Sequence, residues 1–247
     1  MKLVPADIDL KDSFSVLPFY VKVVANVTGL PGSRQVFRLY SRPGYKNMKI
    51  WSKEHIFDNP WELVARAQWR KYPNKFNQAV EGIDVVDRRI DEKGVLKTHR
   101  LLSTKWGIPG WATKIVGSDG IGHASEHSTV DPKNKTMELK TRNLTFCNMI
   151  TIDETLVYSP HPEDKNKTCL KQEAVINVKG IPFGSYIESF VCDNISKNAS
   201  KGREAMDHVI NVIQMETRDL QLRAQQAMET INLNFEAMES NNLSFEV

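Results

Sequence analysis

The chain has 247 residues, of which 40% are hydrophobic and 26% charged, the proportions of an ordinary globular protein with room for one sizeable core. A net charge of +3 is too small to suggest a nucleic-acid binder. Cys147, Cys169 and Cys192 lie far apart with no CxxC spacing, so neither a zinc site nor a disulfide framework is indicated and free buried thiols are expected. No apolar run approaches the ~20 residues that span a bilayer, which leaves a soluble or peripheral protein.

The first 47 residues differ in character from the remainder of the chain. From Ser13 to Lys53 there is no Asp or Glu, while Arg34, Arg38, Arg42 and Lys46 are spread through a tract punctuated by Gly and Pro. An acid-free basic segment suits a transit peptide, but Asp7, Asp9 and Asp12 at the start oppose that reading and a secretory signal alike. The sequons, Asn26-Val27-Thr28 and Asn143-Leu144-Thr145 among them, are therefore read as turn and polar-strand residues. Residues 1–47 are expected to form a poorly ordered extension.

From Met48 the pattern becomes regular. Ile50 to Phe57 suits an entering strand. Asn59, Pro60 and Glu62 supply an N-cap, a first-turn proline and a capping-box acid for a helix. Trp61, Val64, Ala65, Trp69 and Tyr72 give it one apolar face, and Pro73 ends it. Arg70 and Lys71 then fall in the last turn, where helix-end chemistry on a solvated surface is a sufficient account of both. Beyond Gly82 the alternation is strand-like. Runs around Ile83–Val86, Val95–Leu102, Ser125–Val130, Thr136–Cys147, Asn148–Tyr158 and Thr168–Lys179 are joined by turns such as Asp91-Glu92-Lys93-Gly94 and Asp131-Pro132-Lys133-Asn134. With the opening strand this predicts about seven strands in a largely antiparallel sheet with one buried face. Tyr186, Phe190, Ile195, Met206, Val209, Ile210 and Ile213 follow helical spacing after Pro182. One long helix, with Gly202 as a candidate kink, is expected to cover the sheet, an α+β arrangement. From Met228 apolar residues thin out, so 228–247 is expected to be a frayed polar tail.

Two stretches carry possible chemistry. His123, Glu126 and His127 match the HxxEH pattern, which holds zinc only on a helix; on a strand the two imidazoles would lie about 13 Å apart. With no GxSxG, P-loop or paired-carboxylate context either, no catalytic residue, metal or cofactor is expected. The connection from Lys105 to Gly117 holds Trp106, Ile108, Trp111 and Ile115 beside lysines and glycines. It suits either an interfacial lid or a short helix packed on the core.

Four separated blocks resemble the PRELI/MSF1 family of intermembrane-space lipid-transfer proteins, in particular its Slowmo-like branch. They are Met48 to Asn74; Asp87-Arg88-Arg89 with Thr98 to Thr104; Val130-Asp131-Pro132-Lys133 with Thr136 to Lys140; and Asn198 to Met206. The resemblance covers Met48 to about Ile213 and places the domain at 48–227. It implies a curved sheet and long C-terminal helix enclosing a lipid cavity, closed by a mobile lid at Trp106, Ile108, Trp111 and Ile115. It also implies a headgroup site to which Lys71 and Asn198 contribute. Thr104 matches a position that is basic in some phosphatidic-acid carriers, which favours phosphatidylserine, with phosphatidic acid next. Lys75 departs from the proline that commonly follows Tyr-Pro-Asn in the family. The function implied is a non-enzymatic phospholipid carrier in the mitochondrial intermembrane space, meeting the membrane surface transiently and partnered by a small twin Cx9C helical protein. A protein-interaction module with a closed, non-transferring cavity is the alternative.

Overall fold

A computed structural model describes residues 20–24, 33–42, 45–105, 120–180 and 184–243, with side chains for 49–105, 120–180 and 186–235. In chain order the elements are β1 (Tyr20–Val24), β2 (Ser33–Arg42), β3 (Tyr45–Phe57), α1 (Trp61–Trp69), β4 (Val80–Ile90), β5 (Leu96–Lys105), β6 (Ile121–Asp131), β7 (Thr136–Asn143), β8 (Ile150–Pro160), β9 (Thr168–Val178) and α2 (Gly184–Leu243). All the strands join one curved antiparallel sheet in the order β1-β2-β3-β9-β8-β7-β6-β5-β4. The fold is α+β, as predicted. Seven strands match the expected runs. Two more, β1 and β2, come from the segment before Met48 that was expected to be poorly ordered, because that segment pairs in register along the outer edge of β3, from Ser33 opposite His55 to Tyr40 opposite Met48.

The period-2 alternation of the strands sends one set of side chains to an inner face. Trp51 and Phe57 of β3, Met137 and Leu139 of β7, Tyr158 of β8 and Leu170 and Ile176 of β9 are buried there. α1 docks on this face through Trp61, Val64 and Ala67, and the indole Nε1 of Trp61 donates to the Tyr158 carbonyl at 3.3 Å. α2 adds Met206, Val209, Ile210 and Ile213 to the same cluster. Trp51 anchors a second cluster with Ala174, Ile176, Cys192 and Ala199. A fully buried side chain of this size contributes roughly 1.5–3 kcal/mol, so these two clusters carry the sheet–helix packing.

Local details depart from the sequence reading. Pro60, not Asn59, is the N-cap of α1, with no side-chain capping bond. Asn59 instead accepts from Gln214 at 2.9 Å, and Glu62 pairs with Lys135 across the β6–β7 turn at 2.6 Å rather than closing a capping box. α1 stops at Trp69, so Arg70 is its C-cap and Lys71 lies beyond the helix. α2 starts at Gly184, continues through Gly202 and extends to Leu243 instead of fraying from Met228, although every side chain from Gln214 to Phe235 is exposed. Of the three cysteines only Cys192 is buried, and Cys147 is exposed on the turn after β7. Gly94 does supply the left-handed residue of its turn, at φ 80°.

Candidate functional site

Between the inner face and the first half of α2 lies a cavity of about 990 Å³, at the upper end of the range for sites that enclose small molecules. Its walls are mainly apolar. Leu102, Leu139, Ile152, Leu156 and Leu170 line it from the sheet, and Ile187, Phe190, Val191, Ile195 and Met206 line it from α2 at helical spacing.

Lys71, Asn198 and Thr104 all line this one cavity. Because α1 ends early, the chain turns inward after Arg70. Arg70 points outward and grips Glu216 of α2 through two bonds of 2.6 and 2.8 Å, while Lys71 is buried with 8% of its surface exposed. The helix-end reading thus fits Arg70 and fails for Lys71. The Lys71 ammonium rests against α2 where Gly202 has no side chain: a Cβ there would stand 3.1 Å from Nζ. The Tyr72 ring lies 5.1 Å from Nζ, and among the described residues no carboxylate comes within ion-pair distance of Lys71. Asn198 sits one turn before Gly202, on the same side of α2, and is exposed. The Thr104 hydroxyl donates to the Gly122 carbonyl at 3.3 Å. Trp106, Ile108, Trp111 and Ile115 lie outside the described residues.

The cavity and its surroundings also hold polar groups to which sequence reading gave no role at the cavity. Arg100 of β5 and Glu126 of β6 are directly opposite each other in the strand register and form a buried ion pair, bonded through Nε at 2.9 Å and through Nη2. This disposes of the HxxEH pattern: Glu126 points inward to Arg100, whereas His123 and His127 point outward, to Ser103 and to a ring stack with His99. Arg100 and Arg88 both lie about 5 Å from the Trp69 ring. Tyr158 Oη donates to Gln68 Oε1 at 3.1 Å, and Gln172 Nε2 donates to Glu154 Oε1 at 2.7 Å. Burial pushes the Glu154 carboxyl above its ordinary range, and the Gln172 bond and the charge of Lys71 offset this only in part. On the β3 side, His55 is held down at about 4 by burial first and then by the charges of Arg203 and Lys53, with Asp58 opposing. Burial also lowers the Arg203 guanidinium, which donates to Ser200 Oγ at 2.8 Å.

Glu154 was detectable in the sequence. It interrupts the inward series Ile150, Ile152, Leu156 and Tyr158, and an acid on the apolar phase of a strand needs a reason.

Comparison with known proteins places this architecture among relatives. Residues 62–216 match the PRELI-like family. The chain is 37% identical over 169 residues to Protein UPS2, mitochondrial, of Saccharomyces cerevisiae, covering 67% of this chain and 74% of that protein. It is 38% identical over 170 residues to UPS-like protein C36.10 of Schizosaccharomyces pombe, covering 68% and 92%. It is 36% identical over 167 residues to the Protein slowmo homolog of Dictyostelium discoideum, covering 67% and 73%.

Proposed function

Since this chain belongs to the PRELI-like family, we propose that it is a mitochondrial phospholipid carrier. It takes an anionic phospholipid, phosphatidylserine first and phosphatidic acid next, across the intermembrane space. The observation that carries this reading is a large apolar cavity into which the buried ammonium of Lys71 projects with no carboxylate partner among the described residues. Acyl chains fill the apolar part, each buried CH₂ contributing about 0.8 kcal/mol. The headgroup phosphate meets Lys71 through charge-assisted hydrogen bonds, roughly twice as strong as neutral ones. Asn198 adds a neutral hydrogen bond from α2, and Thr104 lies where a further cation would favour phosphatidic acid. The domain proper is 48–227. Trp106, Ile108, Trp111 and Ile115 form the lid that enters the membrane surface during exchange, and a small twin Cx9C helical protein accompanies the carrier. The mitochondrial name of the yeast relative supports a mitochondrial location.

The test is Lys71→Glu, assayed by transfer of labelled phosphatidylserine and phosphatidic acid between liposomes with circular dichroism as the folding control. Transfer of both lipids is expected to fall at least about tenfold, a loss of 1.4 kcal/mol or more, with the fold retained. Unchanged transfer in a folded variant, or an empty wild-type protein in native mass spectrometry, would favour the closed interaction module.

A further inference from the structure

Among the described residues two carboxyls line the cavity, and they are committed differently. Glu126 is bound to Arg100. Glu154 has one hydrogen bond, from Gln172 to its Oε1, and among the described residues its Oε2 has none. That oxygen is nevertheless not sealed in protein: Glu154 keeps accessible surface, and the side chain lines the cavity. The cations divide in the same way. Lys105 is taken by Glu81 at 2.6 Å, whereas among the described lining residues neither Lys71 nor Arg203, which bonds the neutral Ser200 hydroxyl, has a carboxylate partner. Lys71 and Glu154 are close enough to feel each other's charge, yet they do not close an ion pair. One apolar cavity therefore holds a separated positive and negative group, the complement of a ligand that carries both signs.

We propose that Glu154 is the specificity-determining residue that receives the ammonium of an aminophospholipid headgroup, while Lys71 receives the phosphate of the same molecule. The proposal rests on the carrier reading above. A purely anionic headgroup would satisfy Lys71 and leave the Glu154 carboxylate facing more negative charge. An ammonium supplies the counter-charge that burial otherwise denies it.

Glu154→Gln removes the charge and keeps the shape, and its amide oxygen can still accept from Gln172. Wild type and variant are compared with phosphatidylcholine vesicles doped with labelled phosphatidylserine, phosphatidylethanolamine or phosphatidic acid. The ratios of phosphatidylserine and phosphatidylethanolamine transfer to phosphatidic acid transfer are each expected to fall at least about tenfold. Unchanged ratios, whether all rates fall together or none does, overturn the proposal, because a protonated Glu154 that merely donates to phosphate is mimicked by Gln. Wild-type transfer of phosphatidic acid alone overturns it too and leaves the carrier reading standing, whereas wild-type transfer of no lipid overturns both. Glu154→Asp is the rescue control: partial recovery of the ratios supports a carboxylate requirement, and ratios as low as those of Glu154→Gln overturn it.

Discussion

The inner and outer faces of the sheet use the same residue types to opposite ends. Asp153 and Glu154 are neighbours on β8, but Asp153 points outward to Arg142, with both side chains substantially solvated, while Glu154 points into the cavity beside Gln172. Arg100–Glu126 and Arg142–Asp153 are both cross-strand arginine–carboxylate pairs, at 8%/8% and 63%/41% side-chain exposure. Water makes the outer pair nearly dispensable. Burial on the inner face makes each charge depend on its partner, so on the carrier reading an inward charge left without one, as with Lys71 and Glu154, is the group that a ligand would complete.

The largest effect is expected from breaking the inner pair. Arg100→Leu should lower unfolding free energy by about 3–5 kcal/mol, because Glu126 is then buried uncompensated, and Arg100→Leu with Glu126→Leu should restore most of it. Urea denaturation measures both. A single-mutant loss below about 1 kcal/mol would put the inner pair on the same footing as the outer one.

A second, smaller effect comes from His55. In the unfolded chain its imidazole titrates near 6.5, and in the fold it stays neutral down to about 4. Between those values the unfolded state binds a proton that the folded state refuses, so stability present above pH 6.5 is lost as pH falls toward 4; the full shift is about 3.4 kcal/mol, and solvent screening of the partly exposed ring brings it to roughly 2–3 kcal/mol. Denaturation midpoints against pH should show this slope in the wild type and a flatter one in His55→Gln; parallel curves would place the acid sensitivity elsewhere.

Arg142→Ala should change stability by only about 0.2–1 kcal/mol, in line with exposed pairs. A loss several times larger would mean that the outer face is covered in solution. The least effect is expected from deleting residues 1–47. β3 keeps its pairing with β9 from Met48 to Phe57, and the buried Trp51 and Phe57 remain. The melting temperature should stay within about 3 °C, equivalent to roughly 1 kcal/mol; a larger fall would make the hairpin of β1 and β2 part of the core.

Much of this architecture was legible from local pattern: the strands from period-2 alternation, α1 from its apolar face, and the resemblance from four short blocks. The site was legible only in part. Lys71 depends on α1 ending at Trp69, which the apolar spacing out to Tyr72 concealed. Glu126 looked like part of a metal motif because its true partner, Arg100, is brought opposite by the β5–β6 register, and nothing near Glu126 in sequence announces it. Gln172 reaches Glu154 diagonally across β8 and β9, with Leu156 opposite Gln172 and Ala174 opposite Glu154. Such pairings belong to the assembled sheet. The capping residues failed for a local reason: Asn59 and Glu62 found partners on α2 and on the β6–β7 turn that satisfy them as well as a helix end would.

α2 has 60 residues, a contour of about 90 Å at 1.5 Å per residue, whereas a fully compact chain of this length has a radius of gyration near 18 Å, or roughly 2.2·N^0.38. Among the described residues the last side-chain bond from α2 to the body is that of Glu216 with Arg70, and the side chains from there to Phe235 are exposed, so this stretch acts as a hydrodynamic spar. Friction depends on shape as well as mass, and one 28.2 kDa copy will emerge from a sizing column ahead of a sphere of equal weight. Elution position will therefore overstate the number of chains in any complex this protein forms, and only light scattering or sedimentation equilibrium will count them.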